Sequence, residues 1–333
     1  MRNYKILIGF IICLSQCFAL WGQTLITEKK VLKLMGSRFE LTAVAENQSL
    51  AWEAINTGVK EIERIEDLIS SWDPQSQTSE INRQAGIHGV KVDKELFDLI
   101  YRAKKVSALT EGAFDISFAS MDRVWKFDGT VQELPVAEKV EKARQYINWN
   151  NIELNTVDQS VLLKEKGMKI GFGAIGKGYA ANRAKALMQK MKGIHGGLVN
   201  AGGDLICWGE SNQPSDWSIK ITDPKDKTNM LAWLEVKDLA VITSGDYERF
   251  FMHNGKRYAH IIDPRTGYPT NGIKSVTIVC PDAELGDALA TSVFVLGKEN
   301  GLSLINQLNG VECLIVTDED DLLSSDNLQL NHY

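Results

Sequence analysis

Asp287 and Thr291 stand four residues apart in the run Gly286-Asp287-Ala288-Leu289-Ala290-Thr291-Ser292-Val293-Phe294. In a helix that spacing puts a carboxylate and a hydroxyl on one face, a turn apart. The apolar residues around them place the pair inside the protein or at the floor of a cleft. Two hard oxygen donors on a rigid element suit Mg²⁺, which takes oxygen ligands and keeps positions for water and phosphate. The plainer alternative is a helix whose Asp287 caps the first turn and whose Thr291 packs.

Four other segments carry candidate chemistry. Gly171-Phe172-Gly173-Ala174-Ile175-Gly176-Lys177-Gly178-Tyr179 is glycine-rich and runs into a helix. Such backbone approaches a ligand closely, and a helix N-terminus favours phosphate. No Ser or Thr follows Lys177, so it is not a Walker loop. Asn200-Ala201-Gly202-Gly203-Asp204 is a tight turn between strand-like runs. Thr243-Ser244-Gly245-Asp246-Tyr247 is a hydroxyl-rich turn. His260 closes a strand just before the polar turn Asp263-Pro264-Arg265-Thr266-Gly267. There it can accept a proton near neutral pH, although a lone histidine is more often structural.

The elements that must position these residues are legible as periodicities. Leu50 to Ser70 carries Ile55, Val59, Ile62, Ile65 and Ile69 at helical spacing. Lys94 to Leu109, Pro135 to Tyr146, Gly176 to Met191 and Gly286 to Leu296 read as further helices. Leu198 to Trp208, Trp217 to Thr222, Leu231 to Val236, Ala240 to Thr243 and Lys274 to Cys280 read as strands. Asn254-Gly255 between two apolar runs predicts a type I′ hairpin. Asp318-Glu319-Asp320-Asp321 lacks the alternating ligands and glycine of an EF-hand loop and reads as a solvated turn. Helices early and strands late give an α+β class.

The chain has 333 residues, 44% of them hydrophobic and 24% charged, with net charge −6 and no basic block. That composition argues against nucleic acid as a partner. Met1-Arg2-Asn3-Tyr4-Lys5 is a basic lead, and Ile6 to Leu14 is an apolar run too short for a stable bilayer span. Residues 1–23 therefore read as an export signal. Two processing routes fit: lipid attachment at Cys17, since Leu14-Ser15-Gln16-Cys17 has the form of a lipobox, or cleavage between Ala19 and Gln23. Cys207, Cys280 and Cys313 remain in the mature chain. Without a C-x-x-C pair they form no zinc site and read as buried thiols, one disulfide being the alternative in an oxidising compartment. A single module spans 30–333.

Eight motifs in order resemble the ApbE family of FAD:protein FMN transferases. They are M-G-S from Met35 to Ser37, S-W-D-P…S-E-I-N from Ser71 to Asn82, G-A-F-D from Gly112 to Asp115, G-A-I-G-K-G-Y-A, N-A-G-G-D, T-S-G-D-Y, H-I-I-D-P-R-T-G and D-A-L-A-T. The resemblance implies one catalytic module with mixed or antiparallel sheets, flanking helices and a ligand cleft between two lobes. It implies that Met35, Ser37, Trp72 and the Ala113-Phe114-Asp115 turn hold FAD, and that Lys177 sits by the pyrophosphate. The Ala174 carbonyl, Asp287 and Thr291 would bind Mg²⁺, and His260 would be the base. Ile261 would line the FAD site, and Thr243, Ser244 and Gly245 the cleft.

The implied reaction moves FMN from FAD to a Thr or Ser hydroxyl of an acceptor protein and releases AMP. Family acceptors resemble D-x-x-[ST]-G-[AS]-T and belong to extracytoplasmic redox systems, so the implied location is the periplasmic side. No such run occurs in this chain, and modification of another protein is expected. FAD hydrolysis and flavin carriage without catalysis are the competing readings. The sequence departs from the family pattern twice, with Trp72 in place of the usual Tyr and Gly171 in place of the usual acid. The second departure removes an expected contact to FAD or to the metal shell.

Overall fold

Eight strands follow one another across the main sheet in chain order, every neighbouring pair antiparallel. They are β1 (Ile26–Leu34), β2 (Ser37–Ala45), β3 (Ile194–Ala201), β4 (Asp204–Gly209), β5 (Ala240–Gly245), β6 (Ile273–Cys280), β7 (Glu312–Thr317) and β8 (Leu322–Ser324). The computed structural model describes residues 24–121, 124–127, 133–211, 217–222 and 230–330. Residues 1–23, with the predicted export signal and Cys17, lie outside the described residues.

Alternation along the strands builds the two faces of the sheet. Ile206, Trp208, Ile242, Ile278, Cys280 and Ile315 point into the larger core. Leu205, Cys207, Val241, Val279 and Leu314 point the other way. The hairpin Trp217–Thr222/Met230–Val236 covers that second face with Ile219, Ile221, Ala232, Leu234 and Val236.

Helices α1 (Gln48–Ile69), α2 (Gln77–Arg83), α3 (Lys94–Leu109), α4 (Ala137–Arg144), α5 (Gly176–Met188), α6 (Ala283–Leu296) and α7 (Lys298–Ile305) complete the layers. Helices α1, α5 and α6 lie side by side on the sheet. Asn47 caps α1, its side chain accepting from the Leu50 N–H at 3.0 Å. The face that α1 buries is the predicted one, Ile55, Val59, Ile62, Ile65 and Ile69. Residues 46–193, inserted between β2 and β3, carry α1 to α5 and a small sheet of Val90–Lys91, Ile152–Asn155 and Ser160–Leu163.

The fold corrects three expectations. Not every strand of the main sheet falls late: β1 and β2 open it, joined by a Met35-Gly36 turn with φ of 48° and 71°. The Leu198–Trp208 run is not one strand but two, joined by the tight turn expected at Asn200–Asp204: Gly202 and Gly203, with φ of 73° and 110°, reverse the chain, and the Asn200 side chain accepts the Gly203 N–H at 2.8 Å. Helix α6 begins at Ala283, and Asp282 caps it by accepting the Leu285 N–H at 3.0 Å. Asp287 therefore sits a turn inside the helix and is not its cap. The acidic run turns β7 into β8, where Asp318 accepts the Gly272 N–H at 2.7 Å and Asp320 pairs with Lys274 at 2.5 Å. Cys207, Cys280 and Cys313 are buried free thiols.

Candidate active site

The C-terminal end of α1, the N-terminus of α5, the middle of α6 and the end of β5 converge on a cleft of about 680 Å³. That volume falls within the range of roughly 300–1,000 Å³ typical of small-molecule sites. Residues drawn from all eight of the sequence segments meet there: Met35 and Ser37, Trp72, Ala113 to Asp115, Ala174 and Lys177, Gly202, Thr243 to Gly245, His260 and Ile261, and Asp287 and Thr291.

One corner gathers oxygen. Asp287 is 4% exposed, and Thr291 lies half-buried a turn further along α6. The Gly178 N–H at the start of α5 donates to Asp287 Oδ2 at 3.0 Å. Helix α5 can come that close only because residue 178 is glycine: a Cβ there would lie 2.0 Å from the Ala283 carbonyl oxygen. Burial, with the nearby Asp204 carboxylate, pushes the Asp287 pKa up to about 7. Lys177 opposes that rise and pairs with Asp204, which is 1% exposed. Burial alone would lower the Lys177 pKa, but Asp204 and Asp287 overrule it and hold the ammonium charged.

The buried Asp287 charge is thus only partly compensated, which is the condition a bound cation relieves. Among the described residues no group of three or more His, Cys, Asp or Glu side chains could hold a metal. The candidate oxygen donors are the Asp287 carboxylate, the Thr291 hydroxyl and the Ala174 carbonyl, from three residues that all line the cleft. Such an all-oxygen, weakly charged set fits Mg²⁺, which completes its shell with water and substrate phosphate.

His260 stands on the same cleft, half-buried. Its ring Nδ1 lies 3.2 Å from the Arg249 carbonyl, which also accepts the His260 backbone N–H at 2.9 Å. A carbonyl only accepts, so this contact assigns the proton to Nδ1 and leaves Nε2 as the acceptor. Burial, with help from Arg249 and Lys177, pushes the pKa down to about 4. The imidazole is therefore neutral at physiological pH, the state a general base requires.

The walls are shaped by turns. Met35 adopts a left-handed backbone, and its N–H donates to the Glu66 carboxylate of α1 at 2.9 Å. Trp72, 79% exposed, stands at the rim, its turn tied by the Ser70 hydroxyl to the N–H groups of Trp72 and Asp73. The Asp115 carboxylate is buried and accepts from the Ser117 N–H at 2.8 Å and hydroxyl at 2.6 Å and from the Trp149 N–H at 2.9 Å. It holds its turn in shape. Ala113 and Phe114 are almost wholly buried beside it. The Thr243 hydroxyl meets that of Thr277 at 2.9 Å on the neighbouring strand.

Three charged residues that line the cleft carried no role in the sequence reading: Glu66, Glu248 and Arg249. Asp204 lies in a motif that was visible, but its ion-pair partner is 27 residues upstream. Glu66 occupies an unremarkable position on α1, and nothing in its neighbourhood signals that it reaches Met35.

The ApbE family profile matches residues 35–315. A relative from Klebsiella pneumoniae (strain 342), named FAD:protein FMN transferase, is 32% identical over 294 residues, covering 88% of this chain and 90% of its own. This chain belongs to the ApbE family. A second transferase of that name, from Treponema pallidum, is 31% identical over 270 residues, 77% of this chain and 74% of its own. The crystal structure of the ApbE protein from Thermotoga maritima superposes with a TM-score of 0.83 at 30% identity, covering 90% of this chain and 97% of its own. Within the ApbE fold, the glycine at 171 is accommodated locally. A Cβ there would lie 3.1 Å from the Ala119 Cβ and 3.5 Å from the Ser71 hydroxyl oxygen, so a larger side chain would displace that wall.

Proposed function

We propose that this protein transfers FMN from FAD to a Thr or Ser hydroxyl of an acceptor protein, with Mg²⁺, and releases AMP. The observation that carries the reading is the meeting, in one cleft, of a neutral histidine with an all-oxygen corner around an incompletely compensated carboxylate.

Ala174, Asp287 and Thr291 would hold Mg²⁺, which when bound draws charge from the phosphate oxygens as the pyrophosphate is split. Lys177 presents a permanent cation to the same corner. Trp72 offers an exposed ring on which a flat heterocycle can stack. His260 Nε2 takes the proton from the acceptor hydroxyl as its oxygen bonds to the FMN-side phosphorus. The bond from that phosphorus to the bridging oxygen breaks, and AMP leaves with the electron pair. The product carries FMN through a phosphoester. If water takes the place of the hydroxyl, the same groups yield FMN and AMP.

The names of the relatives support the transfer reading over plain hydrolysis. A pure carrier would need neither His260 nor the oxygen corner. The N-terminal sequence supports export to the periplasmic side, with Cys17 as a lipid attachment point. Among the described residues no helix is long and apolar enough to cross a membrane. The test is incubation with FAD, Mg²⁺ and a peptide carrying Asp-Ala-Ala-Thr-Gly-Ala-Thr, followed by mass spectrometry and AMP assay. Covalent FMN on the peptide with matching AMP is expected. AMP release without peptide modification would reduce the activity to hydrolysis, and neither product would refute the proposal.

A further inference from the structure

The strands Phe250–His253 and Lys256–Ala259 form a hairpin whose two roots, Arg249 and His260, both line the cleft. Its inner side is fixed. Phe251 and Tyr258 stack at 5.4 Å and lie against Trp125 at 6.4 Å and 6.5 Å, and the Trp125 indole N–H donates to the Gly267 carbonyl at 2.8 Å. Phe127 meets the His260 ring edge-on at 6.5 Å. The hairpin is thus held firmly beside the base.

Its outer side presents Phe250 and Met252, 37% and 45% exposed. Phe250 is braced even so. The Arg257 guanidinium lies 4.6 Å from its ring centre, and Arg257 donates to both oxygens of the buried Asp246 at 2.9 Å. A rigid exposed aromatic backed by an ion-paired arginine is the kind of preorganised anchor that dominates protein–protein contacts.

The main chain is open along the same edge. His253 and Lys256 flank the two-residue turn and form a hydrogen-bonded pair, so Met252↔Arg257 and Phe250↔Ala259 are the alternate, non-bonded pairs. The N–H and C=O groups of Phe250 and Met252 therefore point away from the ladder. Among the described residues this sheet has only these two strands. An uncovered edge of this kind accepts an added strand. Arg249 and Lys256, near its two ends, carry no ion pair among the described residues, which favours a segment bearing a carboxylate.

From this we infer that the acceptor protein docks on the hairpin, laying an extended, hydroxyl-bearing and acidic segment along the Phe250–His253 edge so that its hydroxyl arrives at His260. The inference rests on the transferase reading. It deepens that reading by naming where the protein substrate binds, apart from FAD.

The test compares wild type with Phe250→Asp/Met252→Asp and with Met252→Pro, which removes one outward N–H. Each is assayed for FAD binding, for the thermal midpoint, and for transfer to the Asp-Ala-Ala-Thr-Gly-Ala-Thr peptide over a range of peptide concentrations. The expected result is a rise of about tenfold or more in KM for the peptide in both variants, with FAD affinity and the thermal midpoint unchanged. Unchanged KM in two folded variants would overturn the docking site while leaving the transferase reading intact. Absence of transfer by wild type would overturn both. Light scattering that shows self-association of wild type, lost in the double variant, would assign the edge to a second copy of this chain and overturn the inference.

Discussion

The Gly178 N–H donates to Asp287 Oδ2 at 3.0 Å, tying the start of α5 to the middle of α6 across 109 residues of sequence. The bond needs only an acceptor oxygen and not a charge. Burial and Asp204 already push the Asp287 pKa up to about 7, so a neutral isostere is easier to bury. Asp287→Asn is expected to keep or raise the thermal midpoint. Transfer at saturating FAD and Mg²⁺ should fall on the order of 10²-fold or more, a size typical of losing one charge-stabilising group. Unchanged turnover in the folded variant would remove Asp287 from the metal shell.

His260 links catalysis to pH. Its folded pKa of about 4 lies below the ordinary 6.5. Between those values the unfolded chain binds more protons than the folded one, so stability rises with pH across that window and declines as pH falls from 6.5 toward 4. His260→Gln should flatten that part of the stability curve, measured by urea unfolding at a series of pH values. It should also lower transfer by about 10²–10⁴-fold, the usual contribution of a general base, with FAD binding retained. A variant with near wild-type rates would show that the proton goes elsewhere.

How much of this was legible beforehand follows from the range of the interactions. Helix α3 begins and ends where its apolar spacing predicted, because the 3.6-residue repeat is local. The Asn254-Gly255 hairpin was equally plain, since both residues adopt the positive φ that a type I′ turn requires. Strands β1 and β2 were missed because Met35-Gly36 is an unusual turn pair. Strand β1 also lies at the sheet edge, with Lys29, Lys30 and Lys33 among its residues. The candidate site was readable as motifs, but the bonds that orient it were not. Glu66 to Met35, Lys177 to Asp204 and Gly178 to Asp287 join positions 31, 27 and 109 residues apart. No periodicity records a partner at such a distance.

The Met35 turn makes a separate prediction. A left-handed backbone at a non-glycine residue costs roughly 1–2 kcal/mol, and here the Glu66 carboxylate holds the N–H in place. A hydrogen bond to a charged group is worth about 1.5–3 kcal/mol. Glu66→Ala should therefore loosen the turn and weaken FAD binding by roughly ten- to a hundredfold, read by flavin fluorescence titration. Adding Met35→Asn, which tolerates the left-handed region, should restore the fold around the turn. Equal FAD affinity in Glu66→Ala and wild type would show that the turn does not shape the site.

Lys177 and Asp204 test whether charge in the cleft is held as a set. Asp204 is 1% exposed and its ionic partner is Lys177. Lys177→Ala leaves that carboxylate, and Asp287 behind it, buried without their cation. Breaking one side of such a pair typically costs about 3–5 kcal/mol, whereas replacing both members is often close to neutral. Chemical denaturation should therefore show a large loss for Lys177→Ala, much of it recovered in Lys177→Ala/Asp204→Asn. Transfer should stay impaired in the double variant, because the cation that faces the phosphate is still missing. Full recovery of transfer along with stability would assign Lys177 a purely structural part, neutralising Asp204, and none in holding the diphosphate.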